Sequence, residues 1–434
     1  MEYPPDGSGQ PAAQATSDTP ARRITPKYWQ IIIIGFIAIA FTAAWLVTYI
    51  NLDTMIWQND FVAANRWTIP AGVLVFSLLV GLCGKYLRAP NVIHGGFSES
   101  MKGEGEGNDY TTFTGTLLSS YLSLFSGASV GPEGPLAFLI QEISAWVRGK
   151  LKITKEAALG FDVAALASAY NGIIGSPVFT AVFATEFNVG KKDAFTFLAW
   201  NLLAGVIGFL FFSLLGLKSF ANVLSFPPIS GLTGSYVLFA IILGILGAFI
   251  AILMGLAMKG IGSAMERMFG DDILHRVLFA GIIIAMICYF IPDLMFSGET
   301  VIEGIVQNPA GIGIAMLLLM GILKALLLAL SFKGGYLGGP IFPTIFTCTM
   351  IGLALSRVFP GLPEGILVLC LIAAVVTLAL GAPLTAILLV VVMGTPNEYM
   401  TALIVLSSVV AMIVGIIVRV LREKRATKKP DGEN

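Results

Sequence analysis

Ser126-Gly127-Ala128-Ser129-Val130-Gly131-Pro132-Glu133-Gly134-Pro135 interrupts one long apolar run, and Gly338-Gly339-Pro340-Ile341-Phe342-Pro343 interrupts another far downstream. Hydrocarbon cannot satisfy bare peptide groups, so a glycine-proline break at membrane depth is tolerated only where protein or a water-filled cavity surrounds it. Each break therefore marks a candidate permeation site. Glu133 strengthens that reading, because an ionisable side chain within a membrane segment is expensive and is by default functional. The competing reading is a carboxylate satisfied by neighbouring backbone N–H groups.

A second pair of signals follows the first. Gly175-Ser176-Pro177-Val178-Phe179-Thr180-Ala181 and Gly381-Ala382-Pro383-Leu384-Thr385-Ala386 stand at nearly the interval that separates the breaks, each after an alanine- and leucine-rich stretch. The run from Ser126 to Gly131 is read as the counterpart of Phe332 to Gly338. Matching interrupted segments in two halves point to inverted-topology repeats with a substrate site near the bilayer midplane. The halves are expected at 28–217 and 232–422, joined by a linker at 218–231. Residues 1–27 are expected to be a disordered cytoplasmic N-terminus and 423–434 a short cytoplasmic tail.

Composition places the chain in the same class. Of 434 residues, 56% are hydrophobic and 12% charged, against about 25% charged in ordinary soluble domains. The long apolar windows 31–45, 195–217, 236–258, 277–291, 310–330 and 401–420 approach the roughly 20 residues that a spanning helix needs. The shorter pieces 136–147, 178–184, 345–355 and 384–393 read as helices crossing part of the bilayer. The expectation is an all-α, polytopic membrane protein with broken and partially spanning helices. Arg22, Arg23 and Lys27 before the first window, and Arg419, Arg422, Lys424, Arg425, Lys428 and Lys429 after the last, put both termini in the cytoplasm by the positive-inside rule. The cell membrane is the expected location.

A formal net charge of zero gives no support for a nucleic-acid partner. The four cysteines lie singly in apolar surroundings and read as packing residues rather than a disulfide framework. With two histidines and no nearby thiol or imidazole partner, neither a metal centre nor histidine-assisted hydrolysis is expected. No second titratable group stands at helical spacing from Glu133 or Glu186, which speaks against an enzyme using acid-base chemistry. No cofactor is implied.

Broken helices aim unpaired N–H groups and the positive ends of their dipoles into the breach, an arrangement that attracts anions. Neither break contains a lysine or arginine at its proline-glycine core. Partial dipole charges hold an anion weakly enough to release it, whereas a full cation would trap it. An ionised Glu133 would occupy the place of a permeating anion and a protonated one would vacate it, making Glu133 a proton-sensitive gate.

These residues resemble the CLC family of chloride channels and proton-coupled anion antiporters. Gly131-Pro132-Glu133-Gly134-Pro135 is similar to the family's gating motif, Gly338-Gly339-Pro340-Ile341-Phe342-Pro343 to its G-G-x-F-x-P motif, and Ala382-Pro383-Leu384-Thr385-Ala386-Ile387 to its A-P-L-T-A-I segment. Lys324 resembles the start of the family's lysine-led helix; by itself it reads as a snorkelling helix-end residue. The resemblance implies a CLC-type fold, a homodimer with one pathway per subunit, Glu133 as gate and proton acceptor, and anion binding by Gly131, Gly134, Gly339, Ile341 and Phe342. It also implies a further anion loop at Gly95, Gly96, Phe97 and Ser98, where the family's serine falls at Gly95 and Ser98 is the nearest hydroxyl.

Three departures bear on mechanism. Pro132 and Pro340 each remove one potential donor. The antiporters' inner proton-transfer glutamate falls at Phe187, leaving open a proton route through Glu186 one position earlier, a route through water, or an uncoupled channel. The family's C-terminal inner tyrosine has no counterpart where 418–427 turns basic. The leading expectation is proton-coupled exchange of an inorganic anion, chloride by default; a passive chloride channel and a fluoride-selective member are the alternatives.

Overall fold

The computed structural model describes residues 26–90, 110–188, 194–217, 219, 223–308 and 311–426. The first part of the chain forms α1 (Tyr28–Trp57), the short α2 (Asp60–Ala64), α3 (Thr68–Tyr86), α4 (Phe113–Phe125), α5 (Glu133–Leu151), α6 (Lys155–Ala169), α7 (Asn171–Ile174), α8 (Pro177–Asn188) and α9 (Ala194–Leu214). The second part forms α10 (Gly234–Phe269), α11 (Ile273–Phe290), α12 (Glu299–Gln307), α13 (Ile314–Gly334), α14 (Ile341–Val358), α15 (Glu364–Leu380), α16 (Pro383–Gly394) and α17 (Glu398–Ala426). Among the described residues the sole β pairing is one isolated antiparallel bridge, Gly131 with Gly339.

Nine helical stretches among the described residues are long and apolar enough to cross a membrane. Thr68–Tyr86 and Lys155–Ile174 lie outside the windows read from the sequence, and Ile341–Val358 extends the piece at 345–355 read as crossing only part of the bilayer. For Lys155–Ile174 and Ile341–Val358 the physical reason is burial. The central windows of the latter two are 89% and 78% buried, so they face protein and carry the small and polar residues that lipid would exclude. By contrast, the windows in α10 and α17 are 28% buried and present Leu253, Leu256, Ile413 and Ile416 outward. α15 is the opposite extreme: every residue from Ile366 to Val375 is 0% exposed, as expected of a helix apolar on all sides.

Lipid is as apolar as leucine, so close packing by small residues holds such helices together. Gly81 and Gly84 of α3 lie against Leu274 and Ile273 of α11. Gly247 of α10 meets Ala374 of α15, and Gly352 of α14 meets the backbone of Val368 in α15. Two helix ends show the repeat directly: Gly175 and Gly381 both take φ +69°, a left-handed conformation glycine adopts without steric cost, just before the prolines that start α8 and α16.

α17 continues to Ala426, past the expected end of the second half at 422. Residues 1–25 and 427–434, which hold most of the expected terminal segments, lie outside the described residues. The four cysteines are buried and free.

Candidate functional site

The two breaks meet. The Gly131 N–H donates to the Gly339 carbonyl at 2.8 Å and the Gly339 N–H to the Gly131 carbonyl at 2.9 Å. Flanking this bridge, the Ser129 N–H donates to Ser331 Oγ and the Leu337 N–H to Ser123 Oγ, each at 3.0 Å. Serines late in α4 and α13 thus hold the opposite break, and the loops are locked in a reciprocal arrangement. Residues at the bridge are too close for side chains. A Cβ on Gly134 would overlap the backbone of Gly338, one on Gly338 would overlap Val130, and one on Gly131 or Gly339 would overlap the Glu133 carboxyl.

Glu133 is the first residue of α5 and is 1% exposed. Its Oε1 accepts the Ile341 N–H, the first amide of α14, at 2.7 Å. The Phe342 amide and its own amide also face the carboxyl group, while Oε2 is buried with no hydrogen-bond partner. One carboxylate from the first break therefore sits on the amide-rich start of the helix that leaves the second break, where the positive end of a helix dipole favours negative charge. Pro132 and Pro340 stand immediately before α5 and α14, positions where a missing N–H costs little.

Gly131 and Gly339, which the resemblance places among the anion-binding residues, use their N–H groups in the bridge between the breaks. Gly134 contributes closeness of approach to Gly338. Ile341 and Phe342 present their amides to Glu133. Gly95, Gly96, Phe97 and Ser98 lie outside the described residues.

Glu186 is placed at a second junction. Its Oε1 accepts the Leu384 N–H at 3.1 Å, and its Oε2 accepts the Thr385 N–H and the Thr385 hydroxyl, both at 2.7 Å. A carboxylate from the end of α8 thus caps the start of α16. The matching helix start, α8, is capped within its own repeat by Ser176 Oγ, which accepts the Phe179 N–H at 3.3 Å.

Lys324 differs from its reading as a snorkelling residue. It is 0% exposed, and its Nζ donates to the carbonyls of Phe296 at 2.6 Å, Leu294 at 3.1 Å and Met295 at 3.3 Å while lying 4.8 Å from the Phe346 ring centroid. The ammonium collects the free carbonyls of the turn that follows α11 and holds that turn to α13 and α14. Its position in mid-helix, rather than at an end, is the sequence signal for burial.

Sequence reasoning missed three groups. Tyr170 is buried and its hydroxyl donates to the Glu133 carbonyl at 2.7 Å. Tyr336 is buried next to the second break, shares a 2.6 Å hydroxyl contact with Ser77 and donates to the Val277 carbonyl at 3.1 Å, tying α3, α11 and the break together. The pair Ser123 and Ser331 had a readable signal, since each precedes its bridge glycine by the same interval.

The profile of the family described as "Voltage gated chloride channel" matches residues 76–415. Among curated relatives, a protein of Methanocaldococcus jannaschii named MJ0305 is 26% identical over 52% of this chain and 56% of its own length. The "putative ion-transport protein YfeO" of Escherichia coli is 25% identical over 60% of this chain and 62% of its own. The matched region therefore spans less than two thirds of either relative. Among solved structures, "a slow cyanobacterial Cl-/H+ antiporter" superposes with a TM-score of 0.77 at 20% identity, covering 94% of this chain and 99% of the other. "A CLC-type fluoride/proton antiporter" superposes with a TM-score of 0.73 at 18% identity, covering 89% of this chain and 94% of the other. At such identities the two superpositions report on fold, and the profile match over most of the sequence reports on kinship: the chain belongs to the voltage gated chloride channel family.

Proposed function

We propose that the protein carries inorganic anions across the membrane in exchange for protons, chloride being the default cargo, with Glu133 as gate and proton acceptor. The observation that carries this reading is the Glu133 carboxyl group accepting the Ile341 N–H at 2.7 Å across the bridge between the breaks. An anion needs those same donors. While the carboxylate holds them the cargo is excluded; once protonated, the carboxyl group loses its charge-assisted hold, swings away and leaves the amides to the anion. Binding by amide dipoles alone is weak enough for release. Each turnover then moves the proton that opened the gate in the direction opposite to the anion.

Support for coupling comes from the structural neighbours, two of which are described as proton antiporters, for chloride and for fluoride. Glu186 is the candidate inner proton acceptor. Its three donors tie it to α16, so a proton route through it requires that cap to loosen. A homodimer in the cell membrane with both termini in the cytoplasm completes the proposal. A passive chloride channel is the second reading, favoured by the phenylalanine at position 187, where the resemblance places the inner proton carrier.

The test is flux through protein reconstituted in liposomes, with chloride, fluoride and nitrate gradients and proton movement recorded together. Exchange predicts uphill proton movement driven by an anion gradient; anion flux with no proton movement selects the channel. Glu133→Gln should give anion flux that no longer depends on pH and carries no protons. PH-dependent flux persisting in that variant would remove Glu133 from the gate. Glu186→Gln should lower the proton-to-anion ratio; an unchanged ratio with lower thermal stability would leave Glu186 as a helix cap alone.

A further inference from the structure

A cleft of about 370 Å³ lies between the later turns of α10, the end of α15 and the last turns of α17. Its floor is apolar, including Gly255, Leu378 and Gly415, and its rim carries Lys259, Arg419, Arg422 and Glu423. The helices on its two sides run parallel. Gly244 of α10 packs on Ser407 and Val410 of α17, and Lys259, roughly 22 Å further along α10, lines the same cleft as Arg419 and Arg422, which stand roughly 14–22 Å further along α17 at 1.5 Å per residue. α10 spans 36 residues, roughly 54 Å, so it outruns a hydrocarbon layer of about 30 Å and its cationic stretch reaches the headgroup level.

Two features separate this cleft from an ordinary basic helix end. The positive-inside rule accounts for Arg419 and Arg422 at the end of α17; it does not account for a lysine from a different helix converging with them above an apolar slot. None of the three cations has an ion-pair partner among the described residues. Gly255 is the second feature. A Cβ there would find nothing within 4 Å, so no close packing against another helix requires glycine. Glycine inside a helix is less stable than alanine by roughly 0.5 to 1 kcal/mol, and at this position what it provides is room.

We propose that the cleft binds one anionic phospholipid, an acyl chain lying over Gly255 and Leu378 and the phosphate held by Arg419, Arg422 and Lys259. Guanidinium groups at an i, i+3 spacing share one helix face and present paired donors to phosphate oxygens. Basic pockets between membrane helices are suited to such headgroups.

The experiment titrates purified, delipidated protein with phosphatidylglycerol, with phosphatidylcholine of identical chains and with inorganic phosphate, following the thermal midpoint and counting bound lipid by native mass spectrometry. Phosphatidylglycerol should bind at one high-affinity site per chain and raise the midpoint, and the other two should not. The double variant Arg419→Gln/Arg422→Gln should weaken phosphatidylglycerol roughly thirtyfold. Gly255→Leu, which fills the slot and leaves every charge in place, should weaken it as well while the unliganded protein remains monodisperse. Equal binding of the two lipids, or a double variant that binds phosphatidylglycerol like the parent, overturns the proposal. A midpoint shift reproduced by inorganic phosphate alone would assign the site to a free anion and overturn the lipid assignment.

Discussion

The first and second breaks share one hydrogen-bonded frame and differ in the side chain they bring to the pocket. A separation of 208 residues relates Glu133 to Ile341, and the same separation relates Ser123 to Ser331, Ser129 to Leu337 and Gly131 to Gly339. Each half lends the other one serine oxygen and one glycine carbonyl. At the next step the copies part: one offers a carboxylate and the other, at the matching place, an apolar residue whose amide receives it. Shared backbone pairing builds the pocket, and the departure at Glu133 supplies the charge that closes it. The junction downstream repeats the lesson, since α8 is capped from within by Ser176 and α16 from across by Glu186.

The comparison is broken most severely at Gly134, where any Cβ collides with the Gly338 backbone. Gly134→Ala should cost more than about 3 kcal/mol and abolish the monodisperse peak on size-exclusion chromatography. Gly149→Ala, in the same helix with nothing within 4 Å of the added carbon, should be neutral or stabilising by about 0.5 to 1 kcal/mol. Next in size, Ser123→Ala and Ser331→Ala each leave a buried amide without its acceptor and should each cost about 1–3 kcal/mol. Their thermal midpoints should fall by matching amounts, and a large mismatch would show that the two halves do not share the strain equally. Smaller again, Glu186→Gln should cost about 1–2 kcal/mol through the weakened cap, more than Ser176→Ala at about 1 kcal/mol or less; reversal of that order in melting curves would contradict the asymmetric capping. Tyr170→Phe keeps the ring and loses the donor to the Glu133 carbonyl. It should cost about 0.5–1.5 kcal/mol and shift the pH dependence of flux without removing it.

Much of this was legible in the residues because glycine, proline and a carboxylate inside apolar runs have few explanations. Glu133, the second break, the recurrence at Pro177 and Pro383, and the long lipid-facing helices all follow from that vocabulary. The register of the repeat did not. Pairing glycine-rich runs that end at Gly131 and Gly338 left the register loose, whereas the bridge sets Gly131 opposite Gly339, the register that the prolines at 132 and 340 and at 135 and 343 also share. The interior helices were under-read for a related reason: Lys155–Ile174 is 89% buried, and its alanines, Asp162 and Ser168 answer to neighbouring protein rather than to lipid. Tyr170 carried no pattern, and the mid-helix place of Lys324 signalled burial without naming its partners, because both bind backbone carbonyls distant in sequence and a carbonyl leaves no mark on composition.

The contact between Glu133 and Ile341 is at once the closed door and a strap joining the two repeats. Withdrawing the carboxyl group undoes one fastening between them until something else takes up the amide. A passing ion with negative charge can do so, which makes the cargo a temporary component of the scaffold: an empty open pathway should be the least heat-resistant form of the molecule, and a filled one should regain what the departing side chain removed.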